Sequence, residues 1–82
     1  MKVDNIMDVS ESEFRERARA ILIECRHEKG VTQAELAKTI GKTENAVGAW
    51  EQGMSIPDVV TYARLAKYYK KTLEYMFGEE PK

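Results

Sequence analysis

Apolar residues in this chain recur every three or four positions and nowhere alternate as a strand would, so the pattern predicts helices joined by short turns. Ser10, with Glu13 three residues on, has the form of a capping box. Phe14, Ala18, Ile21, Leu22 and Cys25 then share one helical face, charged residues fill the other, and Gly30 supplies a stop. Thr32 and Glu35 open a second segment, QAELAKTI, with Ala34, Leu36, Ala37 and Ile40 available for burial and Gly41 at its end. Thr43 caps a third, ENAVGAWEQ, in which Val47 and Trp50 share a face while Glu44, Asn45, Gly48, Ala49 and Gln52 lie elsewhere; Gly53 closes it. Pro57 marks MSIP as a connector, and Asp58 caps a fourth helix carrying Val59, Val60, Ala63, Leu65, Ala66 and Tyr69. Thr72 caps a fifth, LEYMF, which ends at Gly78.

The expected fold is therefore all-α with five helices. Residues 1–9 show no periodicity and are expected to form a flexible N-terminal arm, although Val3, Ile6, Met7 and Val9 could pack onto something; residues 10–78 form the domain and 79–82 a polar tail. At 82 residues there is one domain, and a domain of this size buries only roughly 60% of the surface of its unfolded chain. Apolar residues at 43% and charged residues at 33% are ordinary for a soluble protein. The run Ala20 to Ile23 is far too short to span a bilayer, and the opening MKVDNIMDVS lacks the apolar stretch of a signal peptide, so a cytoplasmic location is expected.

Reactive side chains are scarce. Cys25 is the one cysteine, which precludes an internal disulfide, and it falls in an apolar register that fits core filling. His27 is the one histidine and has no partner at metal-ligand or catalytic spacing, so it is expected on a solvated helix surface. With no glycine-rich phosphate loop and no carboxylates paired as if across a cleft, neither an enzyme nor a bound cofactor is expected. The net charge of −1 is distributed unevenly: Lys2 stands against Asp4, Asp8, Glu11 and Glu13 near the start, whereas Arg64, Lys67, Lys70 and Lys71 form a basic run without an acid inside it.

Two helices of about eight residues separated by a three- or four-residue turn containing a glycine form a helix-turn-helix pattern. The residues Thr32-Gln33, Glu35-Leu36-Ala37, Gly41, Val47, Trp50-Glu51, Gly53 and Pro57, at their joint spacing, resemble the phage Cro and lambda-repressor-like helix-turn-helix family over roughly Phe14 to Gly78. That resemblance implies a five-helix domain whose recognition helix runs from Thr43 to Gln52. It implies a transcriptional regulator, of repressor type, that binds double-stranded DNA as a homodimer, with Glu44, Asn45, Gly48 and Ala49 facing the major groove. It also implies a structural ion pair between Arg26 and Glu51.

The chemistry of the residues fits such a role. Gln33 stands at a helix start, where free N–H groups and the positive dipole end favour a phosphate, and its side-chain amide can donate once more. Asn45 suits a bidentate pair with adenine, Glu44 can accept from the amino group of cytosine, and the Ala49 methyl can meet that of thymine. Lys42, Thr43, Gln52 and Ser55 flank the recognition helix and are candidate phosphate contacts, their alternative being caps and solvated loop; Lys38 is a weaker candidate. Trp50 is placed in the core rather than as a stacking platform. Gly48 costs helix propensity, as if close approach to DNA or to a neighbouring helix compensates.

Two departures from the family pattern matter. No basic residue lies between Thr43 and Gln52, and Lys70 stands where the family commonly has a glycine. A second reading therefore stands beside the first: an antitoxin-like or adaptor module that keeps the fold and binds protein instead of DNA. Tyr68, Tyr69, Tyr75, Met76 and Phe77 either form a dimer surface or close the monomer core.

Overall fold

The computed structural model describes residues 10–79; the expected arm at 1–9 and residues 80–82 of the tail lie outside the described residues. Among the described residues there are five helices and no strand: α1 (Glu11–Lys29), α2 (Gln33–Ile40), α3 (Glu44–Glu51), α4 (Val59–Tyr69) and α5 (Leu73–Met76).

Each helix starts where a side-chain oxygen replaces the missing turn. Ser10, Thr32, Thr43, Asp58 and Thr72 accept from the backbone N–H of Glu13, Glu35, Ala46, Thr61 and Tyr75, contacts worth about 0.5–2 kcal/mol apiece. At Thr32 the box is complete, because the Glu35 carboxylate accepts from the Thr32 N–H at 2.8 Å. Three of the other ends are closed by left-handed residues, glycine at 30 and 41 but Lys70 after α4, with φ 58° and ψ 44°.

A side chain in that conformation costs about 1–2 kcal/mol, part of which glycine gives back through its freer unfolded chain. Lys70 is exposed, so little contact is lost on replacing it. Lys70→Gly is expected to stabilise the domain by about 0.5–1 kcal/mol, seen as a rise of a few degrees in Tm. A lower melting temperature would show that the lysine side chain contributes more than its strained backbone costs.

The core draws on every helix: Ala18, Leu22 and Cys25 from α1, Leu36, Ala37 and Ile40 from α2, Val47 and Trp50 from α3, Tyr62, Leu65 and Ala66 from α4, and Met76 from α5. α3 packs on both α1 and α2, while α4 and α5 close the other side. Phe77 joins the first turn of α1 to α4, its ring centroid 5.9 Å from Phe14 and 4.9 Å from Tyr62. Cys25 is buried and His27 exposed. No group of ligands able to hold a metal is found among the described residues, and no helix there is long and apolar enough to cross a membrane.

Two details differ from the pattern in the sequence, and one left open there is decided. Ala34 is exposed on α2. α4 turns Thr61, Tyr62, Leu65 and Ala66 inward and leaves Val59, Val60 and Ala63 in solvent, because the large Tyr62 ring and Leu65 set the rotation of the helix and the valines of the first turn fall outside that stripe. The aromatic end closes the monomer: Met76 is fully buried, and Tyr68, Tyr69, Tyr75 and Phe77 pack against the core. The exposed large apolar side chains are instead Met54, Ile56, Val59, Val60 and Leu73.

Candidate nucleic-acid interface

α2 and α3 meet across the turn formed by Gly41, Lys42 and Thr43, and α3 is seated by what it buries. Val47 is fully buried, Trp50 is 5% exposed, and Glu51 at the end of the helix is 8% exposed. Helical spacing then forces the remaining positions outward. Glu44, Asn45 and Gln52 are exposed, and Gly48 and Ala49 are half-buried along the same edge. The helix thus presents one edge bearing a carboxylate, an amide and a shallow stretch with almost no side chain.

The flanking residues have local roles as well. The Thr43 hydroxyl caps α3, Gln52 is its C-cap, and Lys42 lies 3.6 Å from Asp58. Ser55 and Lys38 are exposed, Ser55 in the connector after α3 and Lys38 on α2. Arg64, which the sequence presents only as one member of a basic run, donates from Nη1 to the Ile40 carbonyl at 3.2 Å. It therefore closes the C-terminus of α2 and, with Lys42, places two cations at the turn leading into α3.

Beneath that edge lies a buried polar network. Arg26 donates to Glu51 twice, from Nε at 2.7 Å and from Nη2 at 2.9 Å, and from Nη1 to the Val31 carbonyl at 2.9 Å. Gln33 donates from Nε2 to Glu51 Oε1 at 3.0 Å. One carboxylate thereby ties the end of α1, the start of α2 and the end of α3 together. Burial pushes the pKa of Glu51 up, but the hydrogen bonds from Arg26 and Gln33 and the charge of Arg26 outweigh it, and the carboxyl is held below its usual range. The hydrogen bond to Glu51 holds Arg26 above its own ordinary value. The fork-to-carboxylate geometry is the strong form of such a pair and fixes orientation as well as charge.

Gln33 is thus part of the internal network, and one of the side-chain N–H groups that the sequence offered to a phosphate is donated to Glu51. No spacing rule links residues 33 and 51, so only the fold reveals the contact. Gly48 is likewise not demanded by the neighbouring helix: a Cβ there would meet only Gln33 Oε1, at 3.8 Å, an ordinary contact.

Two short helices at a glycine turn, the second anchored by two apolar residues and polar along its outer edge, define a helix-turn-helix. A family model of helix-turn-helix domains matches residues 22–76, well over half of the chain. The chain therefore belongs to the helix-turn-helix family of the Cro and lambda-repressor-like kind, a DNA-binding, regulatory family. Neither the curated proteins nor the solved structures yielded a match.

Proposed function

We propose that this protein is a sequence-specific transcriptional regulator, a repressor, that binds double-stranded DNA as a homodimer with α3 in the major groove. The observation that carries this reading is the division of α3: Val47 and Trp50 turned in, Glu44, Asn45, Gly48 and Ala49 along the outer edge. A helix entering a groove about 12 Å wide reads bases with the residues at its N-terminus. Asn45 pairs with an adenine, Glu44 accepts from a cytosine amine, and Gly48 and Ala49 let the backbone approach a thymine methyl. Phosphates are met by Lys42, Thr43, Gln52, Ser55 and the free backbone N–H groups at Gln33, where the start of α2 offers its positive dipole end.

One short helix contacts too few base pairs to select a site, so two copies reading half-sites about 34 Å apart are needed. The exposed apolar side chains Met54, Ile56, Val59 and Val60, which follow directly on α3, support a second copy docking beside the recognition helix. Binding to chromosomal DNA would place the protein in the cytoplasm. The competing reading, an antitoxin-like or adaptor module, draws on the net charge of −1 and on Glu44 at the groove edge.

Titration of fluorescent mixed-sequence duplex at two salt concentrations separates the two. A regulator loses affinity steeply as salt rises, in proportion to the phosphates it neutralises, whereas an adaptor shows no binding at either concentration. Asn45→Ala is expected to relax preference at one base pair by about 1–3 kcal/mol while leaving helicity unchanged. A large loss of helicity in that variant would show the side chain to be inside the fold.

A further inference from the structure

The buried carboxylate does more than hold three helices together, because it also fixes which end of an amide faces outward. Glu51 is kept ionised by Arg26, and an ionised carboxylate only accepts hydrogen bonds. The Gln33 amide beside it must therefore direct its NH2 group inward, as the 3.0 Å contact from Nε2 to Glu51 Oε1 shows. Its carbonyl oxygen is then forced to the other side. That oxygen is the one atom a Cβ at Gly48 would approach within 4 Å, at 3.8 Å. It therefore sits beside the bare stretch in the middle of the outer edge of α3, where no side chain from position 48 covers it.

We propose that Gln33 is a base-reading residue whose side-chain carbonyl, turned out by the ion pair beneath it, accepts a hydrogen bond from the exocyclic amine of an adenine or a cytosine in the major groove. The assignment rests on the DNA-binding reading and gives one position of the site a defined chemistry. In the major groove adenine and cytosine present an amino donor, whereas guanine and thymine present a carbonyl acceptor. A fixed carbonyl is repelled by phosphate oxygens and by guanine O6 or thymine O4, and is satisfied only by the amine. Phosphate anchoring at the start of α2 falls to the backbone N–H groups and the second Gln33 amide N–H, and the side-chain carbonyl is left to discriminate. Arg26 and Glu51 are positioning residues in this arrangement: neither touches DNA, yet both fix the polarity of the group that does.

The test starts from duplexes selected by the wild-type protein out of a random pool. At each base pair of the selected half-site, adenine is replaced by unsubstituted purine and cytosine by pyrimidin-2-one, which removes only the exocyclic amine. Pairs read by Asn45 and Glu44 lose affinity in wild type and Gln33→Met alike; at one further pair the change is expected to weaken the wild-type protein roughly 5- to 100-fold and to leave Gln33→Met, which keeps the bulk of the side chain, unaffected. Whether the sensitive base is the purine or the pyrimidine decides between adenine and cytosine. Glu51→Gln, whose amide can pair with either end of Gln33, is expected to relax preference at that same pair and at no other; a purely structural role for Glu51 would weaken all sequences alike. If Gln33→Met binds every duplex more weakly by one common factor and keeps the wild-type sensitivity to amine removal at every pair, the side chain meets phosphate and not a base, and the assignment is overturned. If instead the wild-type protein binds no duplex at low salt, the DNA-binding reading fails and takes this assignment with it.

Discussion

Glu51→Ala is expected to destabilise the domain by about 3–5 kcal/mol, the usual cost of breaking a buried ion pair from one side. The side chains of Arg26 and Glu51 are 14% and 7% exposed, so the guanidinium left behind keeps only the Val31 carbonyl as a strong acceptor, and the Gln33 amide loses its partner. A domain of this length has about 4–12 kcal/mol in total, and the loss takes a large part of that. Urea unfolding followed by circular dichroism measures it, and an unchanged midpoint would mean that solvent reaches the guanidinium freely. A pH dependence accompanies the loss. The Glu51 carboxyl is held low in the folded protein and returns to its ordinary range on unfolding, so the unfolded chain binds the proton more readily. Its contribution is complete above the unfolded value, near 4.3 for a glutamate, and is lost as pH falls through the lower folded value. The Asp58 cap, held low by the hydrogen bond from the Thr61 N–H, acts in the same direction. Wild-type stability should therefore fall on acidification below about pH 4. Glu51→Ala should show a shallower decline that retains the Asp58 part, and equal slopes would remove Glu51 as a cause.

The helix starts were legible in the sequence because a cap is a local device. Thr32, Thr43, Asp58 and Thr72 each bond three residues ahead, and that relation is written in the chain itself. Val47 and Trp50 were legible for the same reason, being the one apolar pair that shares a face of a short polar helix. The facing of α4 was not, since its apolar residues lie on two sides and only the packing of Tyr62 and Leu65 decides between them. The attachment of Gln33 to Glu51 was equally hidden: the residues lie 18 apart in the chain, and their contact exists only once α2 and α3 have crossed. The resemblance to the family supplied the pairing of Arg26 with Glu51, whereas nothing in the spacing from 26 to 51 would have done so. Local rules therefore locate the elements, and the polarity of the outer edge depends on contacts that only the assembled fold creates.

Trp50→Ala is expected to cost about 3–5 kcal/mol, as truncation of a buried tryptophan does, and to remove order from α3 before the rest of the domain. The helix is eight residues long, and helices shorter than about 12–15 residues are marginal on their own. Gly48 weakens it further, by about 1 kcal/mol against alanine. Its stability is thus borrowed from the two residues it buries, and Val47, though fully buried, is too small to seat it alone. The turn of α3 that carries Asn45 and Glu44 outward is held by the same anchor. Loss of the indole should therefore abolish any DNA binding through disorder, with urea midpoint and near-ultraviolet dichroism both falling. Asn45→Ala should do the reverse, changing base preference and leaving the urea midpoint in place. If Trp50→Ala kept its midpoint, the indole could not be packed between α3 and the core, and the outward edge of α3 would have no fixed direction from which to read a base.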